Sequence, residues 1–130
     1  MKKITKRINI FVVTICMVFM GAVLVNAENV YSWGATIPVG ASITQSKNCS
    51  YQYQRAGNIR TSNSSSNMKM TITKNGSVLK SSTSATKKGQ WVWTSWANGG
   101  TGARTFEYKT TSGSTFAGSI QATDSPTQHA

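Results

Sequence analysis

The chain has 130 residues and carries 14 Lys and Arg side chains against three Asp and Glu, with one His and two Cys. This length fits one small domain. So few acids argue against a glycosidase with two catalytic carboxylates and against a calcium site, whereas the basic balance favours anionic partners.

Residues 1–27 have the order of a secretory signal peptide. Four basic residues within the first seven precede an apolar run from Ile10 to Val25, and Val25-Asn26-Ala27 then supplies residues small enough for a cleavage site. The run is short for a membrane-spanning helix, which needs about 20 residues, although an uncleaved N-terminal anchor is the alternative. We therefore predict cleavage near Ala27, export, and an extracellular or cell-wall-associated mature chain that begins near Glu28.

The mature chain keeps ten basic residues against Glu28, Glu107 and Asp124, a net charge of about +7 that favours polyanions. It also keeps one cysteine, Cys49, which excludes an intramolecular disulfide. Cys49 lies in an alternating pattern, which predicts a buried thiol. We expect a monomer, with a disulfide-linked dimer as the alternative.

Alternation of apolar and polar residues, typical of half-buried β-strands, recurs along the mature chain. Among the segments that interrupt it, Arg55-Ala56-Gly57-Asn58 is predicted to be a turn, and residues 61–67 a solvated loop. No amphipathic helix is predicted. The predicted strands are residues 31–39, 49–54, 68–73, 77–80, 90–96, 104–109 and 116–122.

Asn75-Gly76 predicts a β-hairpin, because Asn-Gly accepts the positive φ angles of a type I′ turn. Pairing across a two-residue turn would place Ile72 opposite Leu79 and Thr73 opposite Val78.

About seven short strands without a helix predict an all-β fold. The expected architecture is a single small antiparallel β-sandwich over residues 28–123, with a small β-barrel as the alternative. Residues 124–130 are predicted to form a flexible C-terminal tail.

The mature chain lacks the residue combinations that catalysis normally needs. Glu107 is the one acid in a predicted strand, and the sole histidine, His129, is next to the C-terminus. Zinc and calcium ligand sets and recognisable nucleic-acid modules are also missing. We therefore predict a protein that is not an enzyme and that uses no cofactor, no metal and no specific nucleic acid.

Three tryptophans, Trp91, Trp93 and Trp96, fall within six residues. In a regular strand Trp91 and Trp93 would face the core, and Trp96 would lie on the opposite, more polar face, where an indole can stack on a sugar ring or settle at a membrane interface. The candidate binding residues are Trp96, Lys87, Lys88, Arg104 and Lys109.

Two resemblances accompany these patterns. The signal peptide, the strand with Tyr51 and Tyr53, the segment Lys88-Gly89-Gln90-Trp91 and the strand at residues 116–122 resemble small secreted Gram-positive β-sandwich proteins of uncharacterised function. Separately, Gly89-Gln90-Trp91 through Thr105-Phe106-Glu107-Tyr108 is similar to the C-terminal part of the lactococcin 972-type bacteriocins. Those are secreted, cationic, β-rich proteins that interfere with wall synthesis at the septum. Neither resemblance implies a catalytic residue.

These features predict a secreted, non-enzymatic protein that associates with the bacterial envelope. Its cationic side chains would meet an anionic cell-wall polymer or membrane surface, and its aromatic side chains would add contact. The alternative is a cationic bacteriocin-like toxin that acts on the wall or membrane of related cells.

Overall fold

The computed structural model describes residues 28–129, which form nine strands and no helix. The predicted signal peptide lies outside these residues. The all-β prediction is confirmed, with more strands than expected. The strands are β1 (Asn29–Ile37), β2 (Ser42–Cys49), β3 (Tyr53–Arg60), β4 (Ser66–Lys74), β5 (Ser77–Ala85), β6 (Val92–Trp93), β7 (Ala97–Asn98), β8 (Gly102–Gly113) and β9 (Phe116–Ser125).

The strands form two antiparallel sheets that pack face to face. Sheet A has the order β1-β9-β3-β6, with β7 also paired to β3, and sheet B has the order β2-β8-β4-β5. Within residues 28–129 no strand ladder joins one sheet to the other. The predicted β-sandwich is therefore confirmed, and the barrel alternative is wrong.

The core lies between the sheets, where period-two alternation turns every second side chain inward. Two hydroxyls cross it to the opposite sheet: Tyr108 donates to the carbonyl of Gln121 at 2.5 Å, and Thr110 donates to the carbonyl of Ile37 at 2.8 Å. Full burial of each large apolar side chain contributes about 1.5–3 kcal/mol. The largest buried side chains are Tyr108, Phe106, Phe116, Ile37, Met68, Met70, Ile72 and Ile120.

The structure differs from the predicted strands in the first half of the domain. Strand β2 was not predicted, and Cys49 ends it, whereas Tyr53 begins β3. The predicted turn at residues 55–58 is wrong, because this segment lies inside β3. Ala56 and Asn58 are buried against the core. Packing therefore holds this segment as a strand, although its small and polar residues are typical of a turn.

The hairpin at Asn75-Gly76 is confirmed, with φ angles of 52° and 81° at the two residues. Thr73 pairs with Val78 as predicted. The predicted Ile72–Leu79 pair is wrong, because a β-bulge shifts Ile72 to Lys80. The bulge lets Leu79 pack against the core.

Strand β9 runs to Ser125, two residues past the predicted end of the domain. Asp124 is 1% exposed, and its Oδ2 accepts hydrogen bonds from the backbone N–H groups of Ser50 at 2.8 Å and Tyr51 at 2.9 Å. The assignment of Asp124 to a flexible tail is therefore corrected: this residue belongs to the sheet and fixes the turn between β2 and β3.

Candidate functional site

The segment that carries three tryptophans is not a regular strand. Trp93 pairs with Gly57 and Ala97 pairs with Gln54, so four steps along this segment match three steps along β3. The extra residue is a β-bulge, which reverses the face that the following residues present. The expectation that Trp96 lies opposite Trp93 assumed a regular strand without this bulge.

All three tryptophans lie on the outer face of sheet A, and each is half-buried. Trp93 covers Gly57, whose neighbours in β3 point into the core. Thr94 takes the inward position instead, where its hydroxyl accepts a hydrogen bond from the backbone N–H of Ala56 at 3.1 Å. The predicted core-facing orientation of Trp91 and Trp93 is therefore wrong.

Five side chains contact one another in a continuous row along β3, which we call the tryptophan column: Trp91, Trp93, Arg55, Trp96 and His129. The rings of Trp91 and Trp93 are stacked with centroids 5.3 Å apart and planes 17° apart. The Arg55 guanidinium lies 4.0 Å from the centroid of Trp93 and 4.5 Å from that of Trp96, so it makes a cation–π contact with both. Trp96 meets His129 edge-on at 5.0 Å.

The column is closed at one end. The indole N–H of Trp96 donates to the carbonyl of His129 at 2.7 Å, and the His129 imidazole contacts the carboxylate of Glu28. Burial lowers the pKa of Arg55, and the nearby Glu28 carboxylate acts in the opposite direction. Trp96 is therefore enclosed between Arg55 and the C-terminal segment.

The column is open at the other end. In the described part of the chain, Trp93 is the one aromatic or cationic partner of the Trp91 ring. Trp91, which is half-buried, therefore ends the column without a second ring or cation on it, whereas the faces of Trp93 meet Trp91 and Arg55.

Lys87 and Lys88 lie beside this open end, in an exposed turn that leads into Trp91. The turn is held to the end of β3, because the N–H of Arg60 donates to the carbonyl of Lys87 at 3.1 Å and the N–H of Gly89 donates to the carbonyl of Arg60 at 2.9 Å. Lys88 also donates to the side-chain carbonyl of Asn63. Two predicted site residues thus lie in the turn that directly precedes Trp91.

Arg104 and Lys109 lie elsewhere. Arg104 is 3% exposed, and its guanidinium donates to the carbonyls of Gly100 at 2.9 Å and Thr101 at 3.0 Å. Its place on a binding surface is therefore corrected: Arg104 holds the loop before β8. The sequence contained a signal for the burial of Arg104, because Arg104 occupies the same alternating positions of the strand as Phe106 and Tyr108. Lys109 is exposed on the outer face of sheet B, away from the column.

Cys49 and the acidic side chains of residues 28–129 do not provide a reactive thiol or a metal centre. Cys49 is 3% exposed, and burial, with a further effect of Asp124, raises the pKa of its thiol to about 12, so the nucleophilic thiolate is scarce at neutral pH. No cluster of three His, Cys, Asp or Glu side chains suited to a metal ion occurs within residues 28–129. No helix in this range has the length and apolar character to cross a membrane.

In comparisons with known proteins, the chain matches no family model and no curated protein. The two family resemblances of the sequence therefore stay predictions. The end of the column combines a half-buried indole with two exposed lysines in the turn that precedes it. This combination can hold a sugar ring and an anionic group together.

Proposed function

We propose that this is a secreted, non-enzymatic protein that binds an anionic polymer of the bacterial envelope. The contact surface consists of Lys87, Lys88 and Trp91. The observation that carries the proposal is the position of the half-buried Trp91 at the end of the column, directly after an exposed basic turn.

The two kinds of side chain have different roles. The lysines attract any polyanion, and salt weakens this attraction because exposed charges are screened. The indole adds short-range contact with a sugar ring, which salt affects much less. A polymer that carries both sugars and phosphates uses both contacts.

The column also prepares the indole for binding. Trp91 stacks on Trp93, and Trp93 is held between Arg55 and the backbone at Gly57. Its orientation is therefore set before a ligand arrives, which lowers the entropic cost of binding.

The test is a pull-down of the chain from Glu28 onward with purified Gram-positive cell walls across a salt series. Lys87→Ser with Lys88→Ser should reduce the salt-sensitive part of binding. Trp91→Ala should weaken binding by about three- to tenfold at every salt concentration. The control, Lys74→Ser with Lys80→Ser, removes the same charge from the β4–β5 hairpin and should change binding little.

Three results would contradict the proposal. Wall binding that is absent at low salt removes it altogether. Binding that persists unchanged at high salt removes the electrostatic contribution. An equal loss in the control variant assigns binding to net charge and not to Lys87 and Lys88.

A further inference from the structure

The outer face of sheet B carries a row of four hydrogen-bond donors, one from each strand. Ser42 pairs with Lys109, Lys109 pairs with Lys69, and Lys69 pairs with Thr83. All four residues are exposed. Because paired strands lie about 4.8 Å apart, the row spans about 14 Å. We call it the lysine row.

The two lysines in the centre of this row repel each other. Lys69 and Lys109 are direct cross-strand neighbours, and like charges in that position destabilise a sheet. Glu107 occupies the adjacent row, between Thr44 and Thr71. The one ion pair within residues 28–129 joins Glu28 to His129, so neither lysine has a carboxylate partner within 4.0 Å. A bound anion would relieve this repulsion.

The donors select the kind of anion. A phosphate group offers several acceptor oxygens, which can take hydrogen bonds from two ammonium groups and from the flanking hydroxyls of Ser42 and Thr83. The row contains no aromatic side chain, so it lacks the stacking surface that Trp91 provides. It therefore suits the phosphates of a polymer and not its sugars.

The lysine row and the open end of the tryptophan column lie on the outer faces of different sheets. Packed sheets are about 10 Å apart, so the two surfaces point in opposite directions and cannot meet the same stretch of an extended polymer. Each can engage a separate chain.

We propose that the lysine row is a second anion site and that the protein bridges two chains of a phosphate-bearing wall polymer. The bridging rests on the proposed function of the Trp91 surface. Bridging is the property that distinguishes two sites from one, because a protein with one site coats a polymer without linking it to another.

Light scattering with soluble poly(glycerol phosphate) tests the proposal, with the wall pull-down run in parallel. The unmodified protein should raise scattering to a maximum at intermediate polymer concentration, followed by a decline when polymer is in excess. Lys69→Ser with Lys109→Ser should lower that maximum by about fivefold or more while the protein still sediments with walls. Lys74→Ser with Lys80→Ser should keep the maximum.

The outcomes separate the two proposals. Wall binding without scattering by the unmodified protein overturns bridging and leaves the proposed function intact, whereas absence of wall binding overturns the proposed function. Full scattering by the Lys69 and Lys109 variant overturns the lysine row, and so does an equal loss in the control. Clustering of phosphatidylglycerol vesicles but not of the soluble polymer would assign the anion to a membrane lipid. It would contradict the proposal that the lysine row binds a wall polymer.

Discussion

Replacing Gly57 by alanine tests how the tryptophan column is attached to sheet A. A Cβ at this position would overlap Cε3 and Cζ3 of Trp93 and lie 3.0 Å from Cδ2. Trp93 is also in contact with Trp91 and Arg55, so its ring cannot tilt away without losing one of these partners. The alanine therefore has to displace the ring or the strand.

Two opposing effects determine how much the free energy of unfolding changes in Gly57→Ala. Overpacking costs about 1–3 kcal/mol, and the smaller backbone entropy of alanine in the unfolded chain returns about 0.4–1 kcal/mol. The net free energy of unfolding should fall by about 1–2 kcal/mol, which corresponds to a decrease in Tm of about 4–16 °C for a domain of this size.

Two other glycines in sheet A provide controls, and none of the three has a positive φ. At Gly34 a Cβ would meet nothing within 4 Å, so Gly34→Ala should stabilise the domain by about 0.4–1 kcal/mol. At Gly118 it would overlap the carbonyl oxygen of Ile59, which is backbone and cannot yield, so Gly118→Ala should be the least stable.

Thermal melts followed by circular dichroism, with tryptophan fluorescence to report the column, give the order of stability. The expected order is Gly34→Ala, the parent, Gly57→Ala, then Gly118→Ala. If Gly57→Ala melts at or above the parent temperature, Trp93 does not lie against the sheet as described.

Two further predictions concern buried groups. Because burial raises the pKa of Cys49 to about 12, the native thiol should react with a disulfide reagent at pH 8 on the order of a thousandfold more slowly than in denaturant; comparable rates in an absorbance assay would contradict this. Burial also raises the pKa of Asp124 above its ordinary value of 3.8, against the lowering effect of its hydrogen bonds. A raised folded-state pKa favours folding when the acid is protonated, so this contribution is present below pH 3.8 and is lost as the pH rises through the folded-state pKa. Relative to Asp124→Asn, the parent should therefore lose stability from pH 3 to pH 7 in urea titrations, and a gain over that range would refute the assignment.

The features that could be predicted from the sequence depend on neighbours in the chain. The Asn75-Gly76 turn requires only two consecutive positive φ angles, which these residues accept. The inward faces of β4 and β8 follow from strict alternation of apolar residues. Enough strands show these local signals to determine an all-β sandwich.

Strand β2 was missed because a distant contact makes its pattern possible. Lys47 points toward the space between the sheets, where its ammonium lies 4.6 Å from the ring of Tyr31 and 5.2 Å from that of Trp33. These cation–π contacts stabilise a lysine at an inward-facing strand position, where an apolar residue is normally expected. Residues on β1 provide them, so nothing within β2 itself indicates them.

The geometry of the candidate site also depends on pairing between distant segments. The bulge that turns Trp96 to the same face as Trp93 is visible only once Trp93 is matched to Gly57 and Ala97 to Gln54. Gly57 indicated a turn in the sequence. In the structure, a glycine is needed there because the Trp93 indole leaves no room for a Cβ. In both cases the determining residue is more than 30 positions away in the chain.

The position of β9 has a consequence for when this domain can fold. It follows the other eight strands of residues 28–129 in the chain, yet it lies inside sheet A and pairs with both β1 and β3. The pairing of Asn29 with Asp124 closes a separation of 95 residues. Within residues 28–129, β1 has no other ladder partner, so it stays unpaired until β9 has been made. Non-local pairing of this kind is slow and leaves strands open to misassociation in the meantime. Addition of β9 is therefore the step that gives sheet A its native strand order.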